Sequence, residues 1–209
     1  MGKCKYHEVC GLEDVNQPDD YLCILHSTDP YKDRKAFDKA LDAHRQKERG
    51  STNFWRMVFP YQINFYGVTF SERADFSRTE FTQGANFGEV LFAKGANFTL
   101  SKFAEDANFM EATFAEHAWF NKALFTGEAN FWDASFSRAT FSGAKFEKNT
   151  EFGLAKFSEA ARFHETVFKA ETHFSDVSFN GTVLFSHIIF PEDALFNRAR
   201  FFERVIVSR

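Results

Sequence analysis

Three cysteines and one histidine near the start of the chain have the residue types and the spacing of a metal site. Cys4, Cys10, Cys23 and His26 form the pattern C-x5-C-x12-C-x2-H. A thiolate and an imidazole three residues apart, as in Cys23 and His26, suit tetrahedral coordination of zinc. The pattern therefore predicts one structural zinc ion per chain, held by these four side chains.

Two alternatives remain open for this cluster. The pair Cys23 and His26 resembles the second half of a small zinc knuckle, but the first half is wider than the usual two to four residues. His7 could therefore replace Cys4 or Cys10 as a ligand. The other alternative is a cap with reduced, buried cysteines and no metal. A disulfide framework is not expected, because the cysteine count is odd and there is no signal-peptide pattern.

Phenylalanine defines the element that follows this cluster. Of the 209 residues 30 are Phe, and 28 of them recur at alternating spacings of five and six residues from Phe54 to Phe201. A helix would place these residues on opposite faces, and a long strand would alternate them between its two faces. The spacing therefore predicts a repeat protein whose chain turns a corner after each Phe.

A second position supports this prediction. Two residues before each of the 28 Phe stands a small or β-branched residue or, once, Met57, and 15 of these residues are Ala. Positions i−2 and i lie on the same side of a strand, so each unit is expected to point one small and one large side chain inward. Small and large side chains at fixed spacing pack without voids. We expect all 28 Phe side chains to be buried.

Several units resemble the pentapeptide-repeat family, whose unit is Ala, then Asp or Asn, then Leu or Phe, then two variable residues. The matching units include ADFSR (74–78), ANFTL (96–100), ANFME (107–111) and ASFSR (134–138). The resemblance covers residues 52 to 201 and implies an all-β solenoid, a right-handed, four-sided parallel β-helix. The periodicity alone leaves a three-sided solenoid open. Twenty-eight sides give seven coils, about 33 Å long at about 4.8 Å per coil.

Every second linker departs from the five-residue unit by one extra residue. With four sides per coil, the longer linkers fall at two opposite corners, and one coil corresponds to the interval from Phe54 to Phe76. The linker after Phe136 (SRAT) lacks the extra residue. We expect a local dent at this corner, which is either neutral or a contact site for a partner.

Residues 1–50 are expected to form an N-terminal cap, and residues 51–209 the β-helix. A cap is expected because the open end of a β-helix needs covering. The cap has few apolar residues, so a bound metal would help it to fold.

An amphipathic helix is predicted inside this cap. Asp29 and Pro30 have the residue types of an N-cap and a first helical position. The helix is expected to run to about Glu48 and to end at Gly50. Its apolar face has the spacing i, i+3, i+4, i+7, and consists of Phe37, Ala40, Leu41 and His44.

The charges and hydropathy limit the partners. Residues 51–209 contain 16 basic and 19 acidic residues, and residues 1–50 contain nine and ten. No basic run suits nucleic acid, and no apolar stretch approaches the ~18 residues that span a bilayer. The sequence predicts a soluble, cytoplasmic protein with no direct nucleic-acid contact and no membrane span.

Outward positions give further expectations. Asn64, Asn86, Asn108 and Asn130 recur once per coil, so they are expected to stack and to hydrogen-bond between coils. This structural role is favoured over ligand binding. Near the C-terminus the outward positions become apolar, which marks an interface. It would be filled by a two-fold dimer partner or by chain beyond Arg209, unless Val205–Val207 folds back as a lid.

No catalytic motif stands out. There is no Gly-rich phosphate loop, no nucleophile elbow and no separate pair of carboxylates, and the histidines from His117 onward are expected at outward or corner positions. His164 and His187 are expected to share one corner in successive coils. The sequence therefore favours a protein that is not an enzyme.

Three functions are compatible with these observations. The favoured one is a rigid, non-catalytic scaffold that binds a protein partner through its outer faces or its C-terminal end. The second is DNA mimicry, because some pentapeptide-repeat proteins bind type II topoisomerases and protect against quinolones or peptide toxins. Mimicry requires a strongly negative surface, which Lys102, Lys145 and Lys156 are expected to interrupt on one face. An enzyme built on the cap is the least favoured.

Overall fold

From residue 52 onward the chain winds into a four-sided parallel β-solenoid of about seven coils. The computed structural model describes residues 4–6, 8, 22–29, 31–46 and 52–208. Strands of successive coils pair in parallel, one coil apart in sequence, as in Phe59 with Phe81. The predicted fold class is therefore confirmed, and the four Phe rings in each coil exclude a three-sided solenoid.

We label the four sides A to D, in chain order, by the Phe that each contributes to the first coil: Phe54, Phe59, Phe65 and Phe70. Side B contains the strands Val58–Phe59, Glu80–Phe81, Lys102–Phe103, Leu124–Phe125, Lys145–Phe146 and Val167–Phe168. Side C contains Ile63–Asn64, Ala85–Asn86, Ala107–Asn108, Ala129–Asn130, Thr150–Glu151 and Thr172–His173.

Sides D and A are joined into one sheet by two strands that run through their common corner. These strands are Thr113–Trp119 and Ser135–Thr140. The other strands of side D are Thr69–Phe70, Leu91–Phe92, Lys156–Phe157, Ser178–Phe179 and Arg200–Phe201. The other strands of side A are Ala74–Asp75, Ala96–Asn97, Ala161–Arg162, Val183–Ser186 and Val205–Ser208.

The core consists of four columns of stacked Phe rings. Rings in successive coils are stacked, with centroid distances from 4.5 Å between Phe54 and Phe76 to 5.5 Å between Phe168 and Phe190. Rings on the opposite sides A and C meet edge to face, as in Phe87 and Phe98. The prediction that all 28 rings are buried is confirmed for the 25 rings from Phe54 to Phe185.

It is wrong for the last three rings, Phe190, Phe196 and Phe201. Phe201 is 39% exposed, because no further Phe coil lies above it. The last strand, Val205–Ser208, pairs in parallel with Val183–Ser186. It extends side A into an eighth coil and does not fold back as a lid over the three rings.

The five-residue corners use a backbone conformation that the residue types at these positions do not predict. The second residue after each Phe of sides A and C has a positive φ, and twelve of these fourteen residues are not glycine. In thirteen of the fourteen turns the third residue donates its N–H to the Phe carbonyl, as Met57 does to Phe54 at 3.0 Å. A positive φ at position i+2 together with this hydrogen bond is the geometry of a type II turn.

The one-residue deletion after Phe136 is accommodated by a shift in register between the strands Ser135–Thr140 and Thr113–Trp119. The register shifts between Phe114 and His117, so Phe114 still pairs with Phe136 but His117 pairs with Arg138. The sequence separation of paired residues is therefore shorter by one beyond this corner than before it. The expected dent is an irregularity of the D/A corner that leaves the Phe columns stacked.

The helix Arg34–Arg45 begins later than predicted. Its N-cap is Asp33, whose carboxylate accepts the N–H of Ala36 at 2.7 Å, whereas Asp29 accepts the N–H of Tyr31 in a preceding turn. The helix ends at Arg45 with Gln46 as its C-cap. The predicted positions Pro30, Glu48 and Gly50 lie outside the described residues.

The helix covers the first coil with the predicted face. Phe37, Leu41 and His44 are buried, and Ala40 is half-buried. Phe37 meets Phe59 edge to face at 5.7 Å, and His44 Nε2 lies 2.6 Å from the Asn53 carbonyl. Within the described part of the chain, no helix is long and apolar enough to cross a membrane.

Lys32 joins the cap to the solenoid. Its Nζ donates to the carbonyls of Ile24, Ser27 and Val58 at 3.1, 2.7 and 2.6 Å. Burial lowers the pKa of Lys32 to about 8. Because these partners come from separate segments, the sequence alone gave no signal for this contact.

Candidate metal centre and outer surface

A tight turn places Cys23 and His26 side by side. The N–H groups of His26 and Ser27 both donate to the Cys23 carbonyl, at 3.0 and 2.8 Å. This turn brings Cys23 Sγ within 3.2 Å of His26 Nδ1. The predicted pairing of one thiol and one imidazole therefore exists in the fold.

Cys4 completes a buried group of three candidate ligands. Its Sγ lies 3.8 Å from His26 Nδ1 and accepts the N–H groups of Tyr6 and Cys23 at 3.4 and 3.2 Å. The two sulfurs and the imidazole nitrogen all lie within 4.8 Å of one another. Tetrahedral zinc would separate a sulfur and a nitrogen ligand by about 3.6 Å, which falls between the two measured S–N distances.

The other nitrogen of His26 faces the first coil. His26 Nε2 lies 3.2 Å from the Trp55 carbonyl, and Tyr6 packs edge-on against both the His26 and Trp55 rings, at 5.0 and 5.1 Å. An N–H donated to that carbonyl leaves Nδ1 as a lone-pair ligand, which is how outer groups orient metal-binding histidines. The three described residues thus have the distances, burial and orientation that a metal ion needs.

The remaining predicted ligands are not placed by the structure. Cys10, and the alternative His7, lie outside the described residues. Of the four predicted positions the fold brings Cys4, Cys23 and His26 together, and the assignment of Cys10 stays a prediction.

Charge is unevenly distributed around the solenoid. We define the side-C half as the residues between the Phe of side B and the Phe of side D in each coil. It contains twelve acidic and five basic residues, and the other described residues of the solenoid contain seven acidic and ten basic. The side-C half consists of residues 60–69, 82–91, 104–113, 126–135, 147–156, 169–178 and 191–200. Its net charge of −7 faces a net charge of +3 on the rest of the solenoid.

The lysines expected to interrupt one face lie on two sides, which corrects that expectation. Lys102 and Lys145 are on side B, and Lys156 is on side D. Lys102 forms an ion pair with Glu80 and Lys156 with Asp133. Lys102 and Lys145 therefore lie outside the side-C half, whereas Lys156 lies inside it, at its side-D edge, and pairs with one of its carboxylates.

The asparagine column on side C acts mainly within each coil. Each Asn accepts the N–H of the residue two positions later through its Oδ1, at 2.9 to 3.0 Å. One hydrogen bond between coils joins Asn108 Nδ2 to Asn86 Oδ1 at 3.0 Å. The expected hydrogen bond between coils forms at one of the three steps of the column, and all four asparagines close the turn that follows them.

A groove opens where the asparagine column ends. Beyond Asn130 the column continues with Glu151 and His173, and these residues form the floor of a groove of about 310 Å³. We call it the side-C groove. Its walls are Glu128, Asn149 and Glu171 at the B/C corner and Met110 and Trp132 at the C/D corner.

Gly153 gives the groove its shape. A Cβ on Gly153 would lie 2.5 Å from Cζ3 of Trp132, so only glycine lets the indole lie against the next coil. Trp132 is 41% exposed, which is high for so large an aromatic side chain. The close approach of Trp132 to Gly153 could not be inferred from either residue alone.

His173 holds two carboxylates at one end of the side-C groove. Its Nδ1 lies 2.9 Å from Glu151 Oε2, and its Nε2 lies 2.8 Å from Glu171 Oε1. The hydrogen bonds that His173 donates to Glu171 and Glu151 raise its pKa above the usual 6.5. The stabilisation that this histidine contributes is therefore complete at low pH and is lost as the pH rises through its raised pKa.

We expect NMR titration of the histidine ring protons to give His173 a pKa above 6.5, and Glu171→Gln to lower it. His117 is an internal control, because burial and the charges of Arg138 and Arg162 lower its pKa. Equal pKa values for His173 and His117 would contradict the ion pairs in the groove.

The other histidines agree with the expected positions. The rings of His164 and His187 lie 5.4 Å apart at one corner of successive coils, as the coil period predicts. His164 Nδ1 lies 2.7 Å from Ser186 Oγ. Its Nε2 lies 3.4 Å from Glu165 Oε1, so the imidazole at this corner contacts both a hydroxyl and a carboxylate.

The repeats match a known protein family. The model described as pentapeptide repeats (9 copies) matches residues 54–102, 92–135 and 141–189. The matches omit residues 136–140, which are Phe136 and the shortened linker after it. No curated protein matches this chain.

Proposed function

Because the chain belongs to the pentapeptide-repeat family, we propose that it is a non-catalytic scaffold that binds a protein partner through the outer surface of its solenoid. The observation that carries this proposal is the side-C half. It combines a net charge of −7 with exposed large side chains, Tyr66, Met110 and Trp132. Charge complementarity steers association, and exposed aromatic residues supply binding energy at interfaces.

The interior supports a scaffold role. Stacked Phe rings fill the centre of the coils, and no Asp, Glu, Lys or Arg of the described solenoid is buried, so the charged groups are displayed on the outside. Twenty-eight regular sides hold those groups at fixed positions. We further propose that residues 1–50 form the cap and that residues 51–209 form the solenoid.

Affinity capture from native extract tests the scaffold proposal. The wild-type chain is compared with Glu111→Lys/Glu128→Lys on the side-C half and with Lys122→Glu/Lys145→Glu on the opposite half. We expect the wild type and the second variant to retain a stoichiometric partner and the first variant to lose it. Failure of the wild type to retain any partner, or equal retention by both variants, would reject the proposal.

We also propose that the cap is held by one zinc ion bound to Cys4, Cys10, Cys23 and His26. Three buried ligand atoms within 4.8 Å of one another support this proposal. When bound, the zinc would cross-link Cys4 and Cys10 to the turn that contains Cys23 and His26. Four protein ligands leave no open coordination position, so its role is structural.

DNA mimicry is the second candidate function, and the acidic side-C half favours it. A topoisomerase surface that binds DNA is basic, and a rod with a negative side could occupy it. Ion pairs such as Asp176–Arg198 and Glu147–Lys169 weaken that field. Inhibition of gyrase supercoiling by the purified chain, and its loss in Glu111→Lys/Glu128→Lys, would establish this function. Unchanged supercoiling at micromolar concentration would reject it.

We propose that the C-terminal end forms a two-fold dimer. Phe202 is 64% and Val207 is 70% exposed, next to the partly exposed rings of Phe196 and Phe201. A two-fold contact closes after one partner. We expect sedimentation of the wild type at micromolar concentration to show a dimer, and Val207→Asp to show a 24.1 kDa monomer. A monomeric wild type would exclude this dimer.

A further inference from the structure

The side-C groove has the chemistry of a cation site. Trp132 provides an exposed aromatic face, which attracts a cation through its π electrons. Three carboxylates, Glu128, Glu151 and Glu171, line the same groove of about 310 Å³. A positive group in the groove would therefore meet an aromatic face and negative charges together.

The three carboxylates differ in the number of hydrogen bonds and ion pairs that they already form within the protein. Glu151 accepts the N–H of Gly153 at 2.5 Å and also contacts His173. Glu171 contacts His173 and is about half exposed. Glu128 has no ion-pair partner among the described residues, so its charge is the one most available to a ligand.

The lining favours arginine over lysine. A guanidinium is planar, stacks on aromatic faces and binds carboxylates with two parallel hydrogen bonds, whereas an ammonium is a compact and strongly hydrated charge. Trp132 lies against the backbone of Gly153, so the orientation of its exposed face is fixed. A flat face and a carboxylate on the opposite wall suit a planar cation.

We propose that the side-C groove binds an arginine side chain presented by an exposed segment of the protein partner. The inference rests on the proposed scaffold function and adds the chemical class that the partner must present. The guanidinium stacks on Trp132 and pairs with the carboxylate of Glu128, and Glu171 lies on the same wall two coils further along. The −7 charge of the side-C half attracts basic segments, and the groove selects among them.

The test uses the full chain labelled with ¹⁵N and a capped tetra-arginine peptide as the probe. The indole N–H signals of Trp55, Trp119 and Trp132 report on three separate places, and Trp132→Phe assigns the third. We expect a saturable shift of the Trp132 signal with little change in the other two. Capped tetra-citrulline has the same shape without the charge, and we expect it to leave the Trp132 signal unchanged.

Matched variants identify the carboxylate that contributes to binding of the tetra-arginine peptide. Glu128→Gln is expected to weaken tetra-arginine binding about fivefold, which is the effect of losing one exposed ion pair. Glu116→Gln removes the same charge from the opposite half and is expected to leave binding unchanged. Equal weakening by both variants, equal shifts of all three indoles, or an equal response to tetra-citrulline would overturn the proposal.

Affinity capture separates this inference from the scaffold proposal. A partner retained by the wild type and equally by Trp132→Ala/Glu128→Gln would reject the groove and leave the scaffold intact. Specific binding of tetra-arginine without a retained partner would reject the scaffold and leave the groove intact.

Discussion

Phe109→Ala is expected to lower the free energy of unfolding by about 3–5 kcal/mol, through lost burial and the cavity left behind. Phe109 is fully buried, and its ring stacks on Phe87 and Phe131, each at 5.0 Å. It also meets Phe98 and Phe120 edge to face, at 5.4 and 5.5 Å. The rings above and below are held by their own strands, so the space cannot collapse. Urea denaturation measures the loss.

Tyr31→Ala is the control, because it deletes an aromatic ring that is 92% exposed. We expect it to change the unfolding free energy by less than about 0.5 kcal/mol. A loss below about 1 kcal/mol for Phe109→Ala would show that the stacked columns do not carry the stability of the solenoid.

One zinc ion per chain is expected in protein purified without chelator, and Cys23→Ser is expected to reduce the zinc content to near zero. Zinc bound only to the folded cap would stabilise it by about 4 kcal/mol at a thousandfold excess over its dissociation constant. Metal analysis gives the stoichiometry, and thermal unfolding with and without chelator gives the stabilisation.

Two pairs of variants sharpen this test. His26→Gln is expected to lose the metal, whereas His44→Gln changes another buried cap histidine and is expected to retain it. Cys10→Ser and His7→Gln identify the fourth ligand, because only the variant that removes a ligand should lower the zinc content. Zinc content near zero in the wild type, or unaffected by Cys23→Ser, would contradict the site and leave an apolar cap.

Much of the solenoid could be predicted because its signal repeats. A single Phe does not predict a secondary structure, but 28 Phe at alternating spacings exclude a helix and a long strand. Each further unit supports the same prediction of a turn after every Phe. The turn conformation could not be predicted in this way. Arg78, Leu100 and Lys122 occupy positive φ, although their residue types do not favour it. The closed coil imposes that conformation on whichever residue stands there.

The candidate sites could likewise be predicted only where their residues are close in sequence or recur with the coil period. Cys23 and His26 could be paired from the sequence, because one turn of chain separates them. The Trp55 carbonyl behind His26, and the late N-cap at Asp33, depend on how the cap meets the first coil. The negative charge of the side-C half could be predicted from the sequence, because its acidic residues fall into the same columns when the sequence is written with one coil per row. The net charge of residues 51–209 does not show this difference between the two halves, because it sums over both.

The open C-terminal end has a consequence for how the protein loses structure. Each coil touches only the coils directly before and after it, so cooperativity passes along the stack one neighbour at a time. At the N-terminal end Phe54 is clamped beneath the helix, while at the other end Phe196 and Phe201 have no further Phe ring stacked above them. Opening should therefore start as fraying of Val205–Ser208 and Phe201 and advance backward. Amide exchange would then be fastest near residue 200 and slowest in the middle coils. The protein would therefore lose structure from one end, although its repeats are alike along the whole stack.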